Sequence, residues 1–186
     1  FERILLIKPS SLGDVVHALP VLHGLRRRYP NARIDWLIST SLAPLIEGHP
    51  DLSELVPFDR RRYARMAYSP TAAADFVRFI GRLRAARSDA VIDLQGLFRT
   101  GFLAWASGAS VRIGLADARE GASLFYNYRS PRLDPDTHAV DRNYSVARLL
   151  GFADVPIEFT IPLTDDDRAR AEEVLRHGLH GPREPD

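Results

Sequence analysis

The sequence has no cysteine and a single lysine. The first absence removes disulfides and thiolate chemistry and fits a cytosolic chain. The second means that, of 25 basic residues, all but Lys8 are arginines. Base composition is the plain source of such a bias. Its chemical result is a chain whose cations are guanidinium forks, suited to bidentate pairing with carboxylate or phosphate. No apolar run approaches the ~20 residues of a membrane-spanning helix. No basic stretch followed by a long apolar one opens the chain, so no signal peptide is expected. The chain opens on Phe1 rather than Met, which suggests a start that is missing or altered. The six histidines show no paired ligand spacing, so no metal site is expected. Net charge is only +1. No overall field draws nucleic acid, and charge has to be read locally.

What is present is ordinary for a globular protein: 186 residues, 45% hydrophobic and 26% charged. That length favours one domain, at ~100–200 residues each. Short apolar runs bounded by turn residues predict strands at 3–7, 33–39, 55–58, 90–94 and 111–114. Between them, helical spacing predicts helices over 14–29, 41–48, 71–87, 98–107, 137–150 and 164–177. Pro20 predicts a kink or break in the first. Val15, Val16, Leu19, Leu22 and Leu25 mark its inner face; Phe76, Val77, Ile80 and Leu83 mark that of the third. Residues 60–70 read as a basic loop and 116–135 as a long irregular stretch. The Gly/Pro-rich tail after His177 reads as a linker or frayed end. Strands alternate with helices, and the strands are continuous apolar runs. The expected fold class is therefore α/β, a Rossmann-like parallel sheet with helices on both faces.

Ligands gather at the carboxyl ends of such strands, which singles out the loops 8–14, 59–70 and 95–100. In "IKPSSLGDVV" the strand stops at Lys8 and Asp14 stands at a helix mouth. Asp14 reads either as a helix cap or as a general base held at the sheet edge. Ser10, Ser11 and Gly13 form a small-residue turn that lets a ligand approach the backbone. Lys8 is either an exposed strand-end charge or a compact cation for a phosphate or carboxylate. The loop lacks both the P-loop and the G-x-G-x-x-G pattern, so neither nucleotide motif is present. "DRRRYARM" is either a solvated basic loop or an anion site built on Arg60 and Arg61. Gln95 and Arg99 follow the fourth strand. The long stretch carrying Arg119 is too rich in aromatics to be disordered. His138, before a late helix, reads first as a cap or packing residue.

Five segments in order, "RILLIKPSSLGDVVHALP", "RIDWLI", "VIDLQGL", "AREGASLFYN" and "HAVDRN", resemble glycosyltransferase family 9. These are the lipopolysaccharide heptosyltransferases, and the likeness is greatest to their type I branch. The resemblance spans residues 3 to about 150. It implies the GT-B fold, two Rossmann-like domains facing across a cleft. Residues 1–163 would be the N-terminal, acceptor-binding domain and 164–186 a helix opening the interdomain linker. It implies inverting, metal-independent transfer of L-glycero-D-manno-heptose from ADP-heptose to Kdo of Kdo2-lipid A. The expected place is the cytoplasmic face of the inner membrane, as a peripheral protein, with no cofactor and no nucleic-acid partner. Asp14 then matches the family's base, and Ser10 a neighbouring acceptor-side position. Arg60, Arg61 and Arg119 match acceptor-binding basic positions, and His138 lies in a motif near the same cleft. Arg99 stands where relatives often carry Lys. Family members run to roughly twice this length, so the donor domain is expected to be absent and the chain inactive alone. The alternative is a stand-alone module that binds an anionic glycolipid without catalysis.

Overall fold

The computed structural model describes residues 1–178. The tail discussed above lies, from residue 179 on, outside the described residues. Six strands, β1 (Arg3–Ile7), β2 (Arg33–Ser39), β3 (Glu54–Phe58), β4 (Ala90–Asp93), β5 (Val111–Gly114) and β6 (Tyr128–Arg129), form one sheet. Their order is β3-β2-β1-β4-β5-β6, and every pairing is parallel. This is the Rossmann order, with its topological switch between β1 and β4.

The apolar runs are continuous because both faces of the sheet are covered. Ile4, Leu6, Ile34, Trp36, Ile38 and Ile92 pack on one face. They meet α1 (Leu12–Val16), α2 (Leu19–Arg28), α6 (Ala139–Tyr144) and α7 (Ala147–Leu150). Leu5, Ile7, Leu37 and Val91 pack on the other, beneath α4 (Pro70–Ala85) and α5 (Phe98–Ala106). Alternate residues of one strand thus enter two separate cores.

Several expectations are corrected. The helix predicted over 14–29 is two helices with a break at His17–Ala18. Pro20 sits in the first turn of α2, where a missing N–H costs nothing. The helix predicted over 41–48 is a single 3₁₀ turn, Ala43–Leu45, and the chain leaves helical geometry before Gly48, which is left-handed at φ +74°. The basic loop opens with α3 (Arg60–Tyr63), whose cap Asp59 accepts the Arg62 N–H at 2.9 Å. In α4 the inward residues are Phe79 and Leu83, flanked by Phe76 and Ile80. Val77 is 69% exposed, since two steps of ~100° place it away from Phe79. The helix predicted over 137–150 splits at Ser145, whose Oγ donates to the Arg142 carbonyl at 2.6 Å and competes with the backbone. The irregular stretch contains β6 and a 3₁₀ turn, Ala122–Phe125.

After Phe152 the chain runs without strand or helix to α8 (Asp165–Gly178). Thr164 and Asp167 cap that helix reciprocally, each accepting the other's backbone N–H. Ile157, Phe159, Ile161 and Leu163 are exposed, as are Val174 and Leu175 of α8. No helix among the described residues is long and apolar enough to cross a membrane.

Candidate functional site

An open cavity of about 740 Å³ lies at the carboxyl ends of β1, β4, β5 and β6. Lys8 and Asp14 form one wall. Leu94, Gln95 and Gly96, just past β4, form the next, and residues 115–119, past β5, a third. Ser130–Pro135 and the α6 residues Ala139, Arg142 and Asn143 close the remainder.

Asp14 is the third residue of α1, not its cap; the cap is Ser11. Its Oδ2 accepts the Ser11 backbone N–H at 2.9 Å and the Ser11 hydroxyl at 3.2 Å. Oδ1 lies 3.7 Å from the Lys8 ammonium. Partial burial pushes this carboxyl up, but the Ser11 backbone N–H, the Lys8 charge, the Ser11 hydroxyl and His17 together hold it below its ordinary value. The side chain is 39% exposed, so an ionised oxygen stands open at the cavity wall.

Lys8 is not an exposed strand-end charge. Its side chain is 7% exposed and its Nζ donates to the Leu94 carbonyl at 2.8 Å. Burial pulls the ammonium below its ordinary value, and Asp14, Asp93 and Asp117 only partly restore it. Asp14 and Lys8 are nonetheless coupled as an ion pair, because each lacks a closer opposite charge among the described residues.

The cavity's other cations differ in freedom. Arg142 is engaged, 3.3 Å from Asp117 and donating to the Pro135 and Thr137 carbonyls. Arg119 and Arg132 line the wall and form no ion pair among the described residues. Two guanidinium forks are therefore available to an anion.

The remaining expected residues are placed as follows. Ser10 and Ser11 lie on the turn leading to Asp14, outside the cavity lining. A Cβ on Gly13 would meet nothing within 4 Å, so nothing within this chain requires glycine there. Gln95 lines the wall. Arg60 and Arg61 do not: they sit past β3, three strand positions from β4, or about 14 Å across the sheet. Arg99, exposed in the first turn of α5, is also outside the lining. His138 caps α6, its Nδ1 accepting the Val140 N–H at 3.3 Å, and stands edge-on to His17.

Sequence reasoning missed Asp93 and Tyr126. Asp93, at the end of β4, is fully buried. Its Oδ1 accepts the backbone N–H of Gln95 at 2.8 Å and of Gly96 at 3.2 Å, and its Oδ2 accepts the Tyr126 hydroxyl at 2.6 Å. Burial pushes the Asp93 carboxyl up and, with Asp93 beside it, pushes the Tyr126 phenol up strongly. The available signal was a lone Asp closing an apolar strand. Asn143 lies inside the "HAVDRN" segment but was not singled out, and Arg132 lies in the irregular stretch with no signal of its own.

Among the described residues, no group of three or more His, Asp or Glu is arranged to hold a metal ion. The family model for glycosyltransferase family 9 (heptosyltransferase) matches residues 76–180. Lipopolysaccharide heptosyltransferase 1 of Escherichia coli K12 is 33% identical over 93% of this chain and 53% of its own length. The Pseudomonas aeruginosa protein of the same name is 36% identical over 75% of this chain and 40% of its own. Among solved structures, E. coli heptosyltransferase WaaC with ADP-2-deoxy-2-fluoro heptose matches at 32% identity and a TM-score of 0.71. That match covers 94% of this chain and 54% of WaaC. A family 9 glycosyl transferase from Veillonella parvula matches at 27% identity and 0.76, over the whole of this chain and 51% of its own. The chain spans about half the length of the relatives it matches. Its fold is the α/β fold of the GT-B heptosyltransferase structures. On the match over 76–180, the chain belongs to glycosyltransferase family 9, the heptosyltransferases.

Proposed function

We propose that this chain is the N-terminal, acceptor-binding half of a lipopolysaccharide core heptosyltransferase. In this reading the whole protein takes heptose from ADP-heptose and places it on Kdo of Kdo2-lipid A, with inversion. It works as a peripheral protein on the cytoplasmic face of the inner membrane. Residues 1–163 are the acceptor domain, and residues from 164 on lead to the donor domain. The exposed apolar residues between Ile157 and Leu163 support that division, since a further domain would cover them.

The observation that carries the reading is Asp14: an ionised carboxylate on the cavity wall at the sheet's switch point, with Oδ1 turned to Lys8. The acceptor hydroxyl gives its proton to this carboxylate. Its oxygen bonds to the anomeric carbon of the donor as the bond from that carbon to the diphosphate oxygen breaks, and ADP departs. Because its pKa is held low, Asp14 is a weak base that suits a hydroxyl already acidified by bond formation. The Lys8 ammonium tempers the negative charge around the attacking oxygen. Arg119 and Arg132 suit the acceptor's carboxylate, and Gln95 lies beside them. Arg60 and Arg61, at the far edge, are assigned to a more distant anionic group of the same large acceptor. Arg99 and His138 hold supporting places at its margins.

Asp14→Asn in the longer protein tests this. The amide oxygen still accepts from Ser11, so the fold should be kept, with some stability lost because the buried Lys8 ammonium no longer faces a negative charge. Turnover should fall by roughly 10²–10⁴-fold. Near wild-type kcat in that variant would leave Asp14 only as the carboxylate that caps Ser11 back and would overturn the mechanism.

A further inference from the structure

The turn past β4 is held from beneath by a single buried carboxylate. Asp93 takes two backbone N–H groups on one oxygen and the Tyr126 hydroxyl on the other. The turn's own carbonyls bond to two residues that line the cavity. Leu94 O receives the Lys8 ammonium at 2.8 Å, and Gly96 O receives the Arg119 backbone N–H at 2.7 Å. The turn has no slack. Gly96 has φ of +67°, and a Cβ there would lie 3.2 Å from the Ala118 Cα. Tyr126 is fixed from its other side, since its ring covers Gly114 so closely that a Cβ would meet it at 2.1 Å.

We propose that Asp93 and Tyr126 are positioning residues for the acceptor cavity. They act through the Leu94–Gly96 turn to set where the Lys8 ammonium and the Arg119 segment stand. Neither touches the acceptor. Their effect is on two groups that line the cavity from different strands, one beside the proposed base and one among the free cations. A buried carboxylate that lost a donor would be left undercompensated. It would recover by shifting, and the turn would move with it. The acceptor-binding part of this inference rests on the function proposed above; the ordering of the turn does not.

Tyr126→Phe removes one hydroxyl and keeps the ring over Gly114, so the fold is retained. Amide hydrogen exchange in the 186-residue chain reads the turn without any activity. The Gly96 and Arg119 amides should exchange about tenfold faster in the variant, while the β1 and β2 amides stay unchanged. Unchanged exchange at Gly96 and Arg119, or equal acceleration throughout the sheet, overturns the proposal. Steady-state kinetics of the longer protein read the acceptor side. KM for a Kdo-bearing lipid A acceptor should rise about fivefold to tenfold, while KM for the nucleotide-sugar holds. An unchanged acceptor KM, or equal rises in both, refutes the link to the acceptor. If the wild-type longer protein transfers no heptose, the function proposed above fails, and the exchange measurement still decides whether Asp93 and Tyr126 order the turn.

Discussion

Asp14 and Lys8 are separated by six positions and meet at 3.7 Å, because the strand ends at one and the next helix begins just before the other. That proximity was legible. So were the two readings of Asp14 as base or cap; in the structure Ser11 is the cap and Asp14 the residue that caps it back. Asp93 was not legible as part of the site, because its partners come from a turn two residues on and from Tyr126, 33 positions away. The Asp14 carboxyl sits below its ordinary value of 3.8 in the folded chain. The sign follows: a depressed acid contributes stability above its unfolded value and loses it as pH falls through the folded one. The same group stays ionised through neutrality. In the longer protein, kcat/KM should therefore show no inflection from Asp14 between about pH 5 and 8. A pH profile with an acidic limb in that window, lost in Asp14→Asn, would mean the carboxyl is raised instead.

At the scale of elements, β1, β2 and β5 have the bounds that their apolar residues and flanking turn residues predict, even though Asp35 and Arg112 interrupt two of the runs. β6 was missed because its two exposed residues carry no pattern. The contact between α2 and the segment after α7 was equally silent. Gly24 lies mid-helix, and a Cβ there would come 2.3 Å from the Phe152 ring, which is fully buried. Alanine normally gains about 1 kcal/mol over glycine inside a helix. Here the overlap should outweigh it, so Gly24→Ala should lose about 1–3 kcal/mol. Phe152→Ala should cost about 3–5 kcal/mol. In the Phe152→Ala background the clash is gone, and Gly24→Ala should become stabilising. Urea midpoints of the four chains test this sign reversal, and a stabilising Gly24→Ala in the wild-type background refutes it.

For the whole molecule, alternation of strands and helices made the parallel sheet legible, but not the order of its strands. Placing β4 beside β1 brings the loops at 8–14 and 95–100 into one cavity and leaves the loop after β3 at the margin. No local pattern contains that information, because it depends on which crossover passes which face. The same arrangement places the chain's single lysine in the cavity wall. Amine chemistry on this 186-residue chain therefore has one side-chain target. Reductive methylation should modify the amino terminus quickly and Lys8 slowly, because Lys8 is buried although its amine is more readily neutral. Whatever fills the cavity should slow the Lys8 reaction further and spare the terminus. Mass spectrometry of the peptide holding Lys8 then becomes an occupancy meter that needs neither donor nor turnover. An acceptor analogue that binds yet leaves the Lys8 rate untouched must sit somewhere else.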